Sequence, residues 1–385
     1  MKKFTLSFVA VVMGLALFAG SATAQPTSIG VNLELSGRFA VIGTSTLQGI
    51  EAALAQMPDA SSFTLSICDN ATTVEGSVAC ANRFVDEGVV AVLGPISTSM
   101  AIPAAEVLQD NGIIKLSTSS TNPATTQIGE YVFRMAYTDD FQGRVAARYA
   151  YNDLSAQSAI VFRQQDDDYS FGLAGFFVEE FQALGGTTIV VDYVSNTVDF
   201  SAQINDILGE PADVIYYSGF CAEGATLMPA LRAAGFSQQI LGADASDDSQ
   251  CPVGGGAAFD GYIFTGFGGP EVLSDAAAAR AIEFRAFFNV QNPDATDFNG
   301  FTLAGADSMN VIAEAVRTAA GSSAAEVRDA LQAIEGYAGV SGEITYAGTD
   351  GTPADRTIGF FQYLVPAPDG SEWTAVPQFG LSTAE

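Results

Sequence analysis

Residues 89–99 read Val-Val-Ala-Val-Leu-Gly-Pro-Ile-Ser-Thr-Ser, and residues 113–121 read Ile-Ile-Lys-Leu-Ser-Thr-Ser-Ser-Thr. Each is a short apolar run ending in glycine or hydroxyl residues, the pattern of a strand buried on both faces and followed by a turn. Between them, Ala101–Gln109 has helical spacing. A buried strand, a helix and a second buried strand in this order imply parallel pairing through a right-handed crossover.

The same rhythm extends both ways. Upstream, Ser28–Leu33 and Phe63–Cys68 read as strands, and Ser45–Gln56 reads as a helix with Leu47, Ile50 and Leu54 on one face. Thr72-Thr73-Val74-Glu75 has the capping-box form and opens a helix that runs to Gly88. Downstream, Asp140–Asn152, Phe171–Leu184, Ser201–Leu208 (capped by Asp199) and Ala222–Ala234 read as helices. They alternate with strands at Ser158–Phe162, Thr187–Val194, Val214–Tyr217 and Gln239–Gly242. Two such runs imply two doubly wound parallel-sheet domains, as does a length of 385 residues, beyond what one core organises. Helices follow at Ala276–Asn289, Phe301–Ala319 and Ala324–Ile334, and the tail, Gly342–Val376, is strand- and turn-like.

Composition narrows the function. The chain has no histidine, which excludes imidazole-based catalytic triads and imidazole zinc sites. With 15 basic against 44 acidic residues, the net charge of −29 disfavours nucleic acid and anionic membranes as partners. Lys2, Lys3, the apolar stretch Phe4–Phe18 and Ala22-Thr23-Ala24 form a secretory leader, residues 1–24, with cleavage before Gln25. A retained anchor is the alternative, but it needs about 20 apolar residues. No Cys stands at the cleavage point, so a free periplasmic protein is expected. In that oxidising compartment the four cysteines permit three pairings, and proximity favours Cys68 with Cys80 and Cys221 with Cys251.

In open α/β sheets the ligand lies beyond the carboxyl ends of the strands. Those ends carry two different chemistries. In the first half they offer Gly94–Ser99 and Ser117–Thr121, uncharged donors suited to a carboxylate. In the second they offer Asp166–Tyr169, Gly219-Phe220-Cys221 and Gly242-Ala243-Asp244, which suit an ammonium and an apolar side chain. Taken singly, Thr98 reads as a helix cap, Tyr169 as packing and Asp166–Asp168 as a solvated loop. The spacing of a calcium loop is absent, so neither metal nor cofactor is expected.

These features, with Leu35-Ser36-Gly37, Gly43, Gly49, Ala81–Val85, Tyr131–Arg134, Tyr169–Gly172, Leu231–Gly235 and Val340-Ser341-Gly342, resemble the periplasmic leucine/isoleucine/valine-binding family of ABC-importer components. The resemblance implies a type I fold of two lobes joined by three connections, near Met135–Asp140, Tyr262–Gly266 and Ile344–Gly348. One lobe would hold 25–137 with 268–345, the other 138–267 with 346–385. It also implies that Thr98 and Thr121 hold the ligand carboxylate, that Ser119 adds main-chain contacts and that Tyr169 closes over the ligand. Asp244 would pair with the ammonium, although leucine binders more often carry Glu there. Phe220 stands where the family has Tyr, and Ile42 where Tyr is frequent, so the side-chain pocket departs from the leucine type. The expected protein is a monomeric, non-enzymatic amino-acid binder that serves a membrane permease. The competing readings keep the fold with an amide, urea or aromatic carboxylate as ligand, or make the protein a sensor. A hydrolase using the carboxylates of 166–168 and 244–248 is a further alternative.

Overall fold

The computed structural model describes residues 25–365, apart from 296 and 355, together with the backbone of 374–382. The expected leader lies outside the described residues.

The first half alternates as expected: β1 (Thr27–Leu33), α1 (Ala40–Gln56), β2 (Phe63–Asp69), α2 (Val74–Glu87), β3 (Ala91–Leu93), α3 (Thr98–Asp110), β4 (Ile114–Ser117) and β5 (Val132–Arg134). These strands form one parallel sheet in the order β2-β1-β3-β4-β5. β3, in the middle, is buried along its whole length, which explains its unbroken apolar sequence. α2 is capped by Thr73, whose side chain accepts from Gly76 N, rather than by Thr72 as the capping-box pattern implies. It ends at Gly88 in the left-handed region. α3 starts three residues before the expected Ala101, and this brings its N-terminus to the cleft.

The chain then builds the second sheet: α4 (Asp139–Arg148), β6 (Ser158–Gln164), α5 (Asp168–Ala183), β7 (Thr187–Tyr193), α6 (Ser201–Asp206), β8 (Val214–Tyr217), α7 (Cys221–Ala233), β9 (Gln239–Gly242), α8 (Gln250–Gly255) and β10 (Ile263–Gly266). It next returns to the first lobe. Of α9 (Asp275–Gln291), α10 (Gly300–Thr318) and α11 (Ala324–Gln332), α10 packs along α1. Gly49 makes that approach possible, since a Cβ there would lie 2.1 Å from the Thr302 carbonyl. A small hairpin follows, β11 (Tyr337–Gly339) with β12 (Gly342–Ile344), and then β13 (Thr357–Leu364) and β14 (Thr374–Ser382) complete the second sheet. Its order is β14-β13-β10-β9-β8-β6-β7. β13 runs antiparallel to both β10 and β14.

The third passage between lobes falls later than the expected Ile344–Gly348. Tyr346 N and Ala347 N donate to the Ile334 carbonyl, Tyr346 OH donates to the Arg134 carbonyl, and Arg134 N donates to that of Gly351. Residues 346–354 therefore stay with the first sheet, and the second resumes only at β13. Both expected disulfides are present: Cys68–Cys80 ties β2 to α2, and Cys221–Cys251 ties α7 to α8.

Candidate binding site between the two sheets

On the first lobe, two loops leave the carboxyl ends of β3 and β4 and lock together through hydroxyls. Gly94 makes the turn at φ +90°, where a Cβ would lie 2.1 Å from the Asn32 carbonyl. Glu34, fully buried, accepts from Ile96 N and Ser97 N at 3.2 Å each and so fixes the first loop. Burial outweighs these donors and lifts its carboxyl to about 7. Ser117 Oγ donates to the Pro95 carbonyl at 2.9 Å, and Ser119 Oγ to that of Ile96 at 3.4 Å. Thr98 Oγ1 and Ser120 Oγ lie 3.1 Å apart. Ser97 is the N-cap of α3, and the first amides of a helix lack intrahelical acceptors. Among the described residues, the buried Ser97 Oγ has no hydrogen-bond partner, and the Thr121 side chain bonds the buried Asp139 carboxyl. This wall presents donors and no charge.

The second lobe presents the opposite chemistry. Asp244 follows β9 and is 3% exposed. Tyr169 OH, from α5, and Gln142 Nε2, from α4, both donate to its Oδ1 at 2.7 Å. Gln142 Nε2 also donates to Thr265 Oγ1 at 2.7 Å. Burial nevertheless raises the Asp244 carboxyl to about 6 against these two hydrogen bonds. Asp139, at the start of α4, is also fully buried, and burial together with the nearby Asp244 holds its carboxyl well above the usual range. Phe220 caps α7 and meets Tyr169 and Phe39 at ring-centroid distances of 5.4 and 4.3 Å.

Between the two walls lies one narrow pocket, and the structure brings all seven expected residues to it: Ile42, Thr98, Ser119, Thr121, Tyr169, Phe220 and Asp244. Phe39, Ile96, Ser97, Ala245 and Phe301 complete the lining. A larger open cleft lined by Asp247, Asp248, Glu271, Arg285 and Asp297 shares none of these residues. The run Asp166–Asp168 lies outside both. Asp166 accepts from Ser195 N, and Asp167 caps α5 by accepting from Ser170 N. Among the described residues no acidic, His or Cys group could hold a metal ion.

Sequence reasoning missed Glu34, Gln142, Asp139 and Phe39. Gln142 carried no usable signal, because its partners are 102 and 123 residues away. Phe39 did carry one, being the residue between the quoted glycine turn and the helix that bears Ile42.

Residues 26–365 match the family described as periplasmic binding protein. Leu/Ile/Val-binding protein homolog 1 of Brucella abortus (strain 2308) is 28% identical over 354 residues, covering 90% of this chain and 92% of its own. Leu/Ile/Val-binding protein BraC3 of Rhizobium johnstonii is 30% identical over 283 residues, covering 70% and 77% respectively. Among solved structures, a leucine-binding protein of Thermotoga maritima superposes with a TM-score of 0.85 at 25% identity, over 93% of this chain and 99% of that one. With a match that takes in both sheets and both walls of the cleft, the chain belongs to the periplasmic binding protein family.

Proposed function

We propose that the protein is the exported, monomeric solute-binding component of an ABC importer, and that it traps an α-amino acid with an apolar side chain between its lobes. The observation that carries this reading is the polarity of one pocket. The unpartnered Ser97 hydroxyl and a helix N-terminus stand on one wall, and the buried Asp244 carboxylate stands on the other. A zwitterion satisfies both: its carboxylate accepts from Ser97, Thr98, Thr121 and the first amides of α3, and its ammonium donates to Asp244. Between them Ile42, Ile96, Phe39, Phe220 and Phe301 leave only an apolar surface for the side chain. The relatives named for leucine, isoleucine and valine support the same class of ligand.

The mechanism is a hinged trap. Ligand enters on the first-lobe wall, and closure brings Tyr169, Phe220 and Asp244 over it. Closure follows because contacts to both walls exist only when the lobes meet, which is the differential affinity a population shift requires. The permease would then read the closed form at the membrane. Residues 1–24 would direct export and be removed, leaving a periplasmic chain that begins at Gln25.

The test is a thermal-shift screen of residues 25–385, unfolded and refolded to strip carried-over ligand. The panel holds amino acids, short amides, urea and small aromatic acids. Ligand at 100 times its Kd adds about 2.7 kcal/mol of stability. Shifts confined to apolar amino acids are expected. Shifts only with amides, urea or aromatic acids would overturn the zwitterion assignment.

A further inference from the structure

Arg38 lies just outside the pocket and belongs to no part of the zwitterion clamp. It stands in the turn between β1 and α1 on the first lobe, yet its side chain reaches the second. Nη1 donates to Glu223 Oε1 at 2.9 Å and to Gln164 Oε1 at 3.1 Å, and Nη2 lies 3.9 Å from Asp167 Oδ2. The side chains of Asp167 and Glu223 are each 2% exposed. Among the described residues, Arg38 is the one cation paired with either of them, and Glu223 Oε2 has no hydrogen-bond partner. The same guanidinium lies over the ring of Phe39 at 4.4 Å and over that of Phe220 at 5.1 Å. Those two rings, one from each lobe, are in contact and close the pocket.

A planar fork lying over two rings, hydrogen-bonded to Glu223 and Gln164 and ion-paired with Asp167, is held far more firmly than a flexible ammonium would be. It therefore holds Phe39 against Phe220 and sets how far a ligand side chain can extend. It also occupies the Glu223 and Asp167 carboxylates, so a cationic ligand side chain would have to displace it to reach them. We infer that Arg38 is the residue that sets the ligand's side-chain class. Bound across the cleft to Asp167, Glu223 and Gln164, it ends the pocket at the Phe39–Phe220 contact and excludes long and cationic side chains. Arg38 acts through the two rings and is a positioning residue. The inference rests on the amino-acid reading above and adds to it the reason for an uncharged, compact side chain.

Removing Arg38 exposes a ready-made acidic pocket, so a ligand bearing its own guanidinium can replace the missing one. The experiment measures Kd by calorimetry for valine, leucine, phenylalanine and arginine with wild-type protein, Arg38→Ala and Arg38→Ala/Glu223→Gln. Wild type is expected to bind the aliphatic ligands and to discriminate against arginine. In Arg38→Ala the preference for leucine over arginine should fall by at least about tenfold, since two buried carboxylates are then left unpaired and open to a ligand cation. Adding Glu223→Gln should take back the gain for arginine, because one carboxylate that receives it is lost. Arg38→Gln, which keeps length and polarity, serves if the alanine variant does not fold. Equal weakening of every ligand in a folded Arg38 variant would reduce Arg38 to a structural role and overturn the inference alone. Wild-type protein that binds no amino acid would overturn both this inference and the reading beneath it.

Discussion

Asp244 is a carboxylate taken out of water, with two neutral donors and, among the described residues, no cation bonded to it. Its folded-state pKa of about 6 stands above the ordinary value of 3.8. A shift of roughly two units is a cost of about 3 kcal/mol to the closed, ligand-free form at pH 7. The sign follows from which state ionises first. Below pH 4 both folded and unfolded forms are protonated and there is no cost. Between about 4 and 6 the unfolded chain ionises first and stability falls, and above 6 the cost is complete. Asp244→Asn removes the charge but keeps an oxygen to accept from Tyr169 and Gln142. Ligand-free stability at pH 7.5 should therefore rise, by as much as about 3 kcal/mol less what opening of the empty cleft already relieves and what the weaker neutral hydrogen bonds give back.

Binding should move the other way. Removing one partner of a buried, hydrogen-bonded charge pair costs about 2–5 kcal/mol, or roughly 30-fold to several thousand-fold in Kd. The assay is urea denaturation of refolded protein without ligand, followed by calorimetric titration with the best ligand from the screen. A more stable variant that binds poorly supports the assignment. Unchanged affinity would refute the pairing of Asp244 with the ammonium. A less stable ligand-free variant would refute the claimed cost of burying the charge.

Wild-type affinity should fall as pH drops through about 6, approaching a tenfold loss at pH 5 relative to pH 7.5, because protonated Asp244 cannot receive an ammonium. Titration calorimetry across that range checks this, and a flat profile would contradict it. Ser97→Ala removes a buried hydroxyl that has no partner. It should leave ligand-free stability nearly level and weaken binding by about 1–2 kcal/mol, as seen in paired denaturation and titration measurements. The Cys221–Cys251 bridge closes a 30-residue separation and ties the helix that begins beside Phe220 to the segment that follows Asp244. Replacing both cysteines by serine should cost about 3–4 kcal/mol on the chain-entropy model and weaken ligand binding as well. Equal denaturation midpoints for the two proteins would count against it.

The fold was legible because its signals are local. Strands such as Val214–Tyr217 and Gln239–Gly242 were found at their exact limits, and the glycine turn at 94 marked where a strand ends in a cleft. The pocket was legible for a geometric reason. Parallel sheets gather the carboxyl ends of their strands, so the topology alone assigns residues scattered from 98 to 244 to one place. What stayed hidden were groups whose role comes from tertiary pairing. Gln142 sits on a helix face that reads as ordinary polar sequence, and Glu34 gains its meaning only from amides 62 and 63 residues away. Arg38 binds partners 126 and 185 residues distant. The late return to the second sheet was hidden as well, because Tyr346 and Gly351 are held by backbone bonds to residues 334 and 134 that no periodicity reports.

The two walls differ in what they require of a ligand, and this difference decides when the lobes close. The first wall presents no charge to the pocket and is fixed by its own hydroxyl bonds and by Glu34 behind it. The second encloses Asp244, with Asp139 also buried nearby. Closing over nothing therefore strands a charge in an apolar space, whereas closing over an ammonium supplies its counter-charge. The stranded charge, about 3 kcal/mol at pH 7, corresponds to a bias of roughly 150-fold toward the open state. Protonation or Asp244→Asn should lift that bias without any ligand. Small-angle scattering should then show ligand-free wild-type protein contracting between pH 7.5 and 5, and Asp244→Asn already contracted at pH 7.5. If the ligand-free variant stays as extended as wild type at every pH, the buried charge is not what holds the empty cleft open.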